Sequence, residues 1–120
     1  MINDHRKILS IQEEFNTVFP YLKLEFFSNP NKYGDQSVKK FVKQSSKTLE
    51  ECRLVTNPGK IMITPDMTVA DLDHSFRNVY GLGVMLFRKS GKVWLETTVT
   101  DGWTLEEQNK QGESLSKIDI

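Results

Sequence analysis

Cysteine is nearly absent: Cys52 stands alone, so no disulfide can form within the chain. It has no CxxC partner, and its neighbours Glu50 and Glu51 oppose thiolate formation. An inert, half-buried thiol in a cytoplasmic protein is the expectation. Long apolar runs are also missing. No stretch approaches the roughly 18 apolar residues of a membrane span, and the polar start, 1–6, lacks the apolar core of a signal peptide. Net charge is missing too: 16 basic residues balance 16 acidic ones among 120. No global field draws the chain toward nucleic acid or anionic lipid, and no membrane contact is expected.

Chemistry-bearing groups are sparse. Of the two histidines, His5 and His74, only His74 has carboxylates nearby, in Asp71-Leu72-Asp73-His74. Asp71 and His74 have helical metal-ligand spacing, but nothing else converges on them and Asp71 is already claimed as a capping acid. Gly81-Leu82-Gly83 precedes a strand, whereas a phosphate cradle needs a following helix. No catalytic residue, no metal and no cofactor is assigned.

What the chain does have is punctuation. Ser/Thr–aliphatic–x–acid occurs at Ser10–Glu13, Thr48–Glu51, Thr68–Asp71 and Thr104–Glu107. In such a capping box the hydroxyl accepts from the amide three residues on, and the acid reaches back to the cap's own amide. The spacing predicts a first helix from about Asp4 or Ser10 to Val18, with an apolar stripe of Ile8, Ile11, Phe15 and Val18. Ser10 is the stronger cap of the two. A short helix should follow Thr48, and a longer one should span Val69 to Tyr80, inward through Val69, Leu72, Phe76, Val79 and Tyr80, with Gly81 as its stop. A last helix should start after Thr104 and run to about Gln111, where Gly112 ends or weakens it. Residues 114–120 should fray.

Period-two alternation marks a strand at Tyr21–Phe27. Lys60–Thr64 is rich in β-branched residues and reads as a second. Leu82–Arg88 and Val93–Thr98 form a hairpin about Ser90-Gly91, pairing Phe87 with Trp94 and Leu86 with Leu95; a three-residue loop would shift these pairs. The threonines at 97, 98, 100 and 104 read as solvent-facing positions plus one cap. Between residues 28 and 47 the pattern dissolves into a mobile loop carrying Lys32, Lys39, Lys40, Lys43 and Lys47 against Asp35 alone. A faint internal echo aligns Phe15–Phe26 with Phe76–Phe87 at an offset of 61.

The expected fold is therefore a single α+β domain over 1–120 in two layers. About four strands and three helices include a β-α-β-β unit. The first and third helices share one face of the sheet, and the C-terminal helix closes an edge or the second face.

Both faces of the hairpin are apolar: Leu86 and Leu95 on one, Met85, Phe87 and Trp94 on the other. A half-solvated antiparallel sheet should not look so. The cover is the C-terminal helix with Trp103, Leu105 and Leu115, the lysine loop with Phe41, or another chain. The leading reading is a non-enzymatic interaction module that binds a protein partner or itself through Phe87, Trp94 and Trp103. The alternative is nucleic-acid or anion binding through Lys39, Lys40 and Lys43. Lys23, Phe27, Arg88, Lys89, Lys92 and Trp94 would help if the first strand lies beside the hairpin, although Glu25 and Glu96 sit among them. That ranks below a protein partner, as does a small enzyme assembled from scattered Asp, His and Thr.

The segments Ile63–Leu72, Tyr80–Val84, Phe87–Gly91 and Asp101–Leu105 resemble a group of short bacterial proteins that carry no assigned function. The resemblance covers most of the chain from Lys60 onward and extends to the helix–strand unit at Ser10–Phe27. It implies a small, free-standing cytosolic protein and carries over no catalytic residue.

Overall fold

Three of the four capping boxes start helices. A computed structural model of the protein describes residues 5–28, 41–42, 46–55 and 60–116. Along the chain these form α1 (Ile8–Val18), β1 (Leu22–Phe27), α2 (Leu49–Cys52), α3 (Val69–Tyr80), β2 (Gly83–Ser90), β3 (Val93–Glu96), a 3-10 turn at Thr98–Thr100 and α4 (Leu105–Ser116). Thr48 and Thr68 close reciprocal boxes with Glu51 and Asp71, and Thr104 does so with Glu107 at 3.0 and 3.1 Å. α3 ends at Gly81, which takes the left-handed conformation (φ 71°) that a side chain would resist.

Ser10 is not a cap. α1 begins earlier, after Lys7, which offers no side-chain cap. The backbone replaces it: the Ile8 amide donates to the Lys47 carbonyl at 2.9 Å, and the Leu49 amide donates to Arg6 at 3.0 Å. Lys7 and Thr48 thus form an isolated bridge between the starts of α1 and α2. Thr68 and Thr104 bridge α3 and α4 in the same way, with Val69 donating to Trp103 and Leu105 to Met67. In both pairs the first helical amide of each member donates to the residue preceding the partner's cap, so orphan donors are satisfied reciprocally.

Among the described residues the sheet has three antiparallel strands in the order β1-β2-β3. Lys60–Thr64 forms no strand, so among the described residues there is no β-α-β-β unit. Ile61 is buried and Ile63 packs on the core from an extended segment. Ile61 makes an isolated bridge but no strand, and Met62 is exposed. The mixed α+β class stands; the count of about four strands does not.

The register places Leu22, Leu24, Phe26, Val84, Leu86, Arg88, Val93 and Leu95 on one face of the sheet. The buried ones among them share a continuous core with Ile8, Ile11 and Phe15 of α1, Leu72, Phe76 and Tyr80 of α3, and Leu105 of α4. Val18 is exposed, and Phe19 takes the last place in the α1 stripe. α4 does not cover the second face. Its Gln108 accepts from Arg88 on the core face at 3.0 Å, and its Leu105 lies in the same cluster.

Nor does Gly112 end α4. A β-carbon there would lie 2.8 Å from Cβ of Tyr21 and 3.1 Å from Cγ of Arg88. The glycine lets the helix approach the start of β1, where the Tyr21 amide donates to Asn109 at 3.0 Å.

The internal echo is partly real. α1 and α3 start 61 residues apart, at Ile8 and Val69. The strands also start 61 residues apart, at Leu22 and Gly83. An odd offset puts matched positions on opposite faces: Phe26 faces the core and Phe87 the second face, so that identity is not a structural equivalence.

Candidate interaction surface

The hairpin turns at Gly91-Lys92, one residue later than the sequence reading placed it. Gly91 has φ 63°, the conformation required at the first position of a two-residue loop. The observed pairs are Phe87 with Glu96, Arg88 with Leu95, Lys89 with Trp94 and Ser90 with Val93. The register is thus displaced by two residues from the expected Phe87–Trp94 pairing. A displacement of two keeps every side chain on its expected face.

Phe87 and Trp94 accordingly share the second face with Lys23, Glu25, Met85, Lys89 and Glu96. β1 does lie beside the hairpin, which brings the Lys23 ammonium 5.4 Å from the Phe87 ring centre and 5.7 Å from that of Trp94. Its Nζ also lies 3.8 Å from Glu25, which in turn accepts from Gln12 at 3.2 Å. At half-exposed positions such cation–ring contacts contribute about 0.5–1 kcal/mol each. The face is charge-balanced, with Lys23 and Lys89 against Glu25 and Glu96.

Trp103 does not join this group. It precedes α4 and stacks against Arg88, whose guanidinium is 5.5 Å from its ring centre on the core-face side of the sheet. Arg88 belongs there too, and Lys92 is in the turn, so the basic set expected around Trp94 reduces to Lys23 and Lys89. The far end of the second face is covered by Phe41, whose ring meets Phe27 edge-on at 6.1 Å. Phe27 itself lies across Gly83, where a β-carbon would come within 2.2 Å of the ring. Lys39, Lys40 and Lys43, and most of the lysine loop, lie outside the described residues.

The two edges of the sheet differ. On β1 the outward carbonyls are taken: Leu22 accepts from Asn16 at 2.8 Å, Leu24 from Gln12 at 2.9 Å, and Phe26 from the Val42 amide at 2.8 Å. On β3 the Thr97 amide donates to Leu86. Alternation along an antiparallel ladder therefore turns the amides and carbonyls of Trp94 and Glu96 outward. Among the described residues nothing pairs with them. Val93 is 55% exposed and Leu95 44%, on the side of the strand opposite Trp94. Val99 and Trp103 are exposed as well. Val93 and Leu95 were not legible as surface residues from the sequence, because alternation assigns a side chain to a face without showing whether anything covers that face.

The remaining reactive groups are occupied or dispersed. Asp71 caps α3. Asp73 accepts from the Val84 amide and from Arg77, each at 2.7 Å. His74 is exposed. Burial pushes the Cys52 thiol up, Lys47 opposes this, and Glu51 adds to it. Thr97 is buried, with its hydroxyl donating to Leu86, and Thr100 accepts from the buried Gln108 amide. The threonine run is thus a joint between β3 and α4, and only part of it faces solvent.

Among the described residues no group of three or more His, Cys, Asp or Glu could hold a metal ion. No helix among them is long and apolar enough to cross a membrane. Comparison with known protein families, with curated protein sequences and with solved structures finds no match to this chain.

Proposed function

We propose that the protein is a non-enzymatic interaction module whose contact surface is the hairpin end of the sheet. The observation that carries this reading is the unpaired outer edge of β3, flanked by Trp94 and Phe87 on one side and by exposed Val93 and Leu95 on the other. An apolar strand edge is a template for another chain, and aromatic side chains at such a place are typical anchors of protein interfaces. Phe87 and Trp94 carry the binding; Trp103 borders the opposite side.

Capture from a cell extract tests it. The wild-type chain should retain a defined set of proteins, its own copies included. Trp94→Ala and Phe87→Ala chains with unchanged circular dichroism should lose that set. Equal capture by wild type and both variants overturns the reading.

Nucleic-acid binding is the second reading, favoured by Lys23 and Lys89 beside Phe87 and Trp94. It requires binding to a single-stranded oligonucleotide that weakens steeply with salt. Glu25 and Glu96 on the same face argue for the protein partner.

A further inference from the structure

We infer that the occupant of the β3 edge is β3 of a second copy of this chain, added antiparallel to form one continuous sheet, β1-β2-β3-β3-β2-β1. This rests on reading the hairpin end as a protein-binding surface and names its partner. The argument is self-complementarity. The outward-facing main-chain groups belong to Trp94 and Glu96, so a two-fold axis at Trp94 makes the two Trp94 residues a hydrogen-bonded pair, exchanging both amide-to-carbonyl bonds. On the side of the sheet opposite Trp94 that register sets Val93 opposite Leu95 of the copy, twice, covering the two most exposed apolar side chains of the strand.

The neighbouring register, with the axis at Leu95, is worse. It places Trp94 opposite Glu96 and Val93 opposite Thr97, an apolar side chain against a polar one at both positions. The Trp94-centred pairing instead matches Val93 with Leu95 and Trp94 with Trp94. The β1 edge cannot substitute, because Asn16, Gln12 and Val42 already occupy its carbonyls. β3 spans only Val93–Glu96, so the association belongs at the small, concentration-dependent end of protein interfaces.

Charge exchange tests this by sedimentation at low salt. The wild-type mass should rise with concentration toward twice that of one chain. Val93→Lys or Leu95→Glu alone sets a charge opposite an apolar side chain twice, and should raise the dissociation constant by about tenfold or more. The double variant Val93→Lys with Leu95→Glu sets opposite charges face to face and should restore it. A wild-type chain that is monomeric at about 1 mM, the weak end of the affinity scale, overturns the inference. So do single variants that associate as well as wild type, or a double variant that fails to recover. A monomer that still captures other proteins through Trp94 refutes only the second copy; the interaction surface itself falls if Trp94→Ala leaves extract capture unchanged.

Discussion

At the scale of single residues, two glycines are places where the backbone or a ring comes too close for a β-carbon. Gly112 reads in sequence as a helix breaker, because glycine in a helix interior costs about 1 kcal/mol relative to alanine. In the folded chain the cost of adding the methyl is larger than the propensity it recovers. Tyr21 Cβ at 2.8 Å is fixed to its own backbone and cannot swing aside, so the helix or the strand has to move. Gly112→Ala should therefore lower stability, by about 1–3 kcal/mol for overpacking less the helix gain. Thermal unfolding of the whole chain measures it. An isolated peptide covering 103–116 should respond the other way and become more helical with alanine. If the full chain is stabilised, the close approach of α4 to β1 is wrong.

The helix starts are the level at which sequence and structure agree best, and their one disagreement is informative. Thr68 accepts from the Asp71 amide at 3.0 Å, whereas Ser10 stands on the exposed side of an established first turn. Thr68→Ala should cost about 1 kcal/mol, and Ser10→Ala should be neutral or slightly stabilising, because alanine is the better helix former. Denaturant unfolding of the two variants compares them directly; equal losses would restore Ser10 as a cap.

The same motifs set a pH response. In Glu51 and Glu107 the carboxyl is held below its usual 4.5 by the amide of Thr48 or Thr104 first and by the threonine hydroxyl second. A carboxylate with a lowered folded-state value stabilises the fold above its unfolded value, and that contribution is lost as pH falls through the folded one. The starts of α2 and α4 should thus weaken on acidification below about pH 4.5. Glu107→Gln, which has no carboxylate to protonate, should show a shallower fall of unfolding midpoint between about pH 5 and pH 2. Parallel curves for the variant and wild type would show that this box does not couple to pH.

On the scale of the whole molecule, the sheet has one guarded edge and one open edge. Gln12 and Asn16 reach from α1 to the outward carbonyls of Leu24 and Leu22. Replacing either with alanine leaves a carbonyl to water and removes about 1 kcal/mol of net hydrogen bonding. The double variant Gln12→Ala, Asn16→Ala should also gain a second pairing edge, and should form larger, open-ended assemblies than the wild type. Light scattering at matched concentration checks this; a double variant that scatters like wild type would mean that α1 does not guard β1.

Residue spacing alone determined where α2, α3 and α4 begin, the inward face of α3 and (Val18 apart) of α1, β1, and which side of the hairpin each residue occupies. All of these depend on contacts within about one turn or one strand pair, and such contacts are written in short-range periodicity. Tertiary structure decided the rest. The α1 cap was taken over by a strand-like bridge to Thr48. Ile61 of the run at Lys60–Thr64 was buried without the run becoming a strand of the sheet. Gly112 became a point of close packing, and Trp103 was drawn to Arg88, away from Phe87 and Trp94. Each of these outcomes is set by a partner far along the chain competing for the same hydrogen bond or the same volume, and no local pattern of residues encodes which distant partner will win.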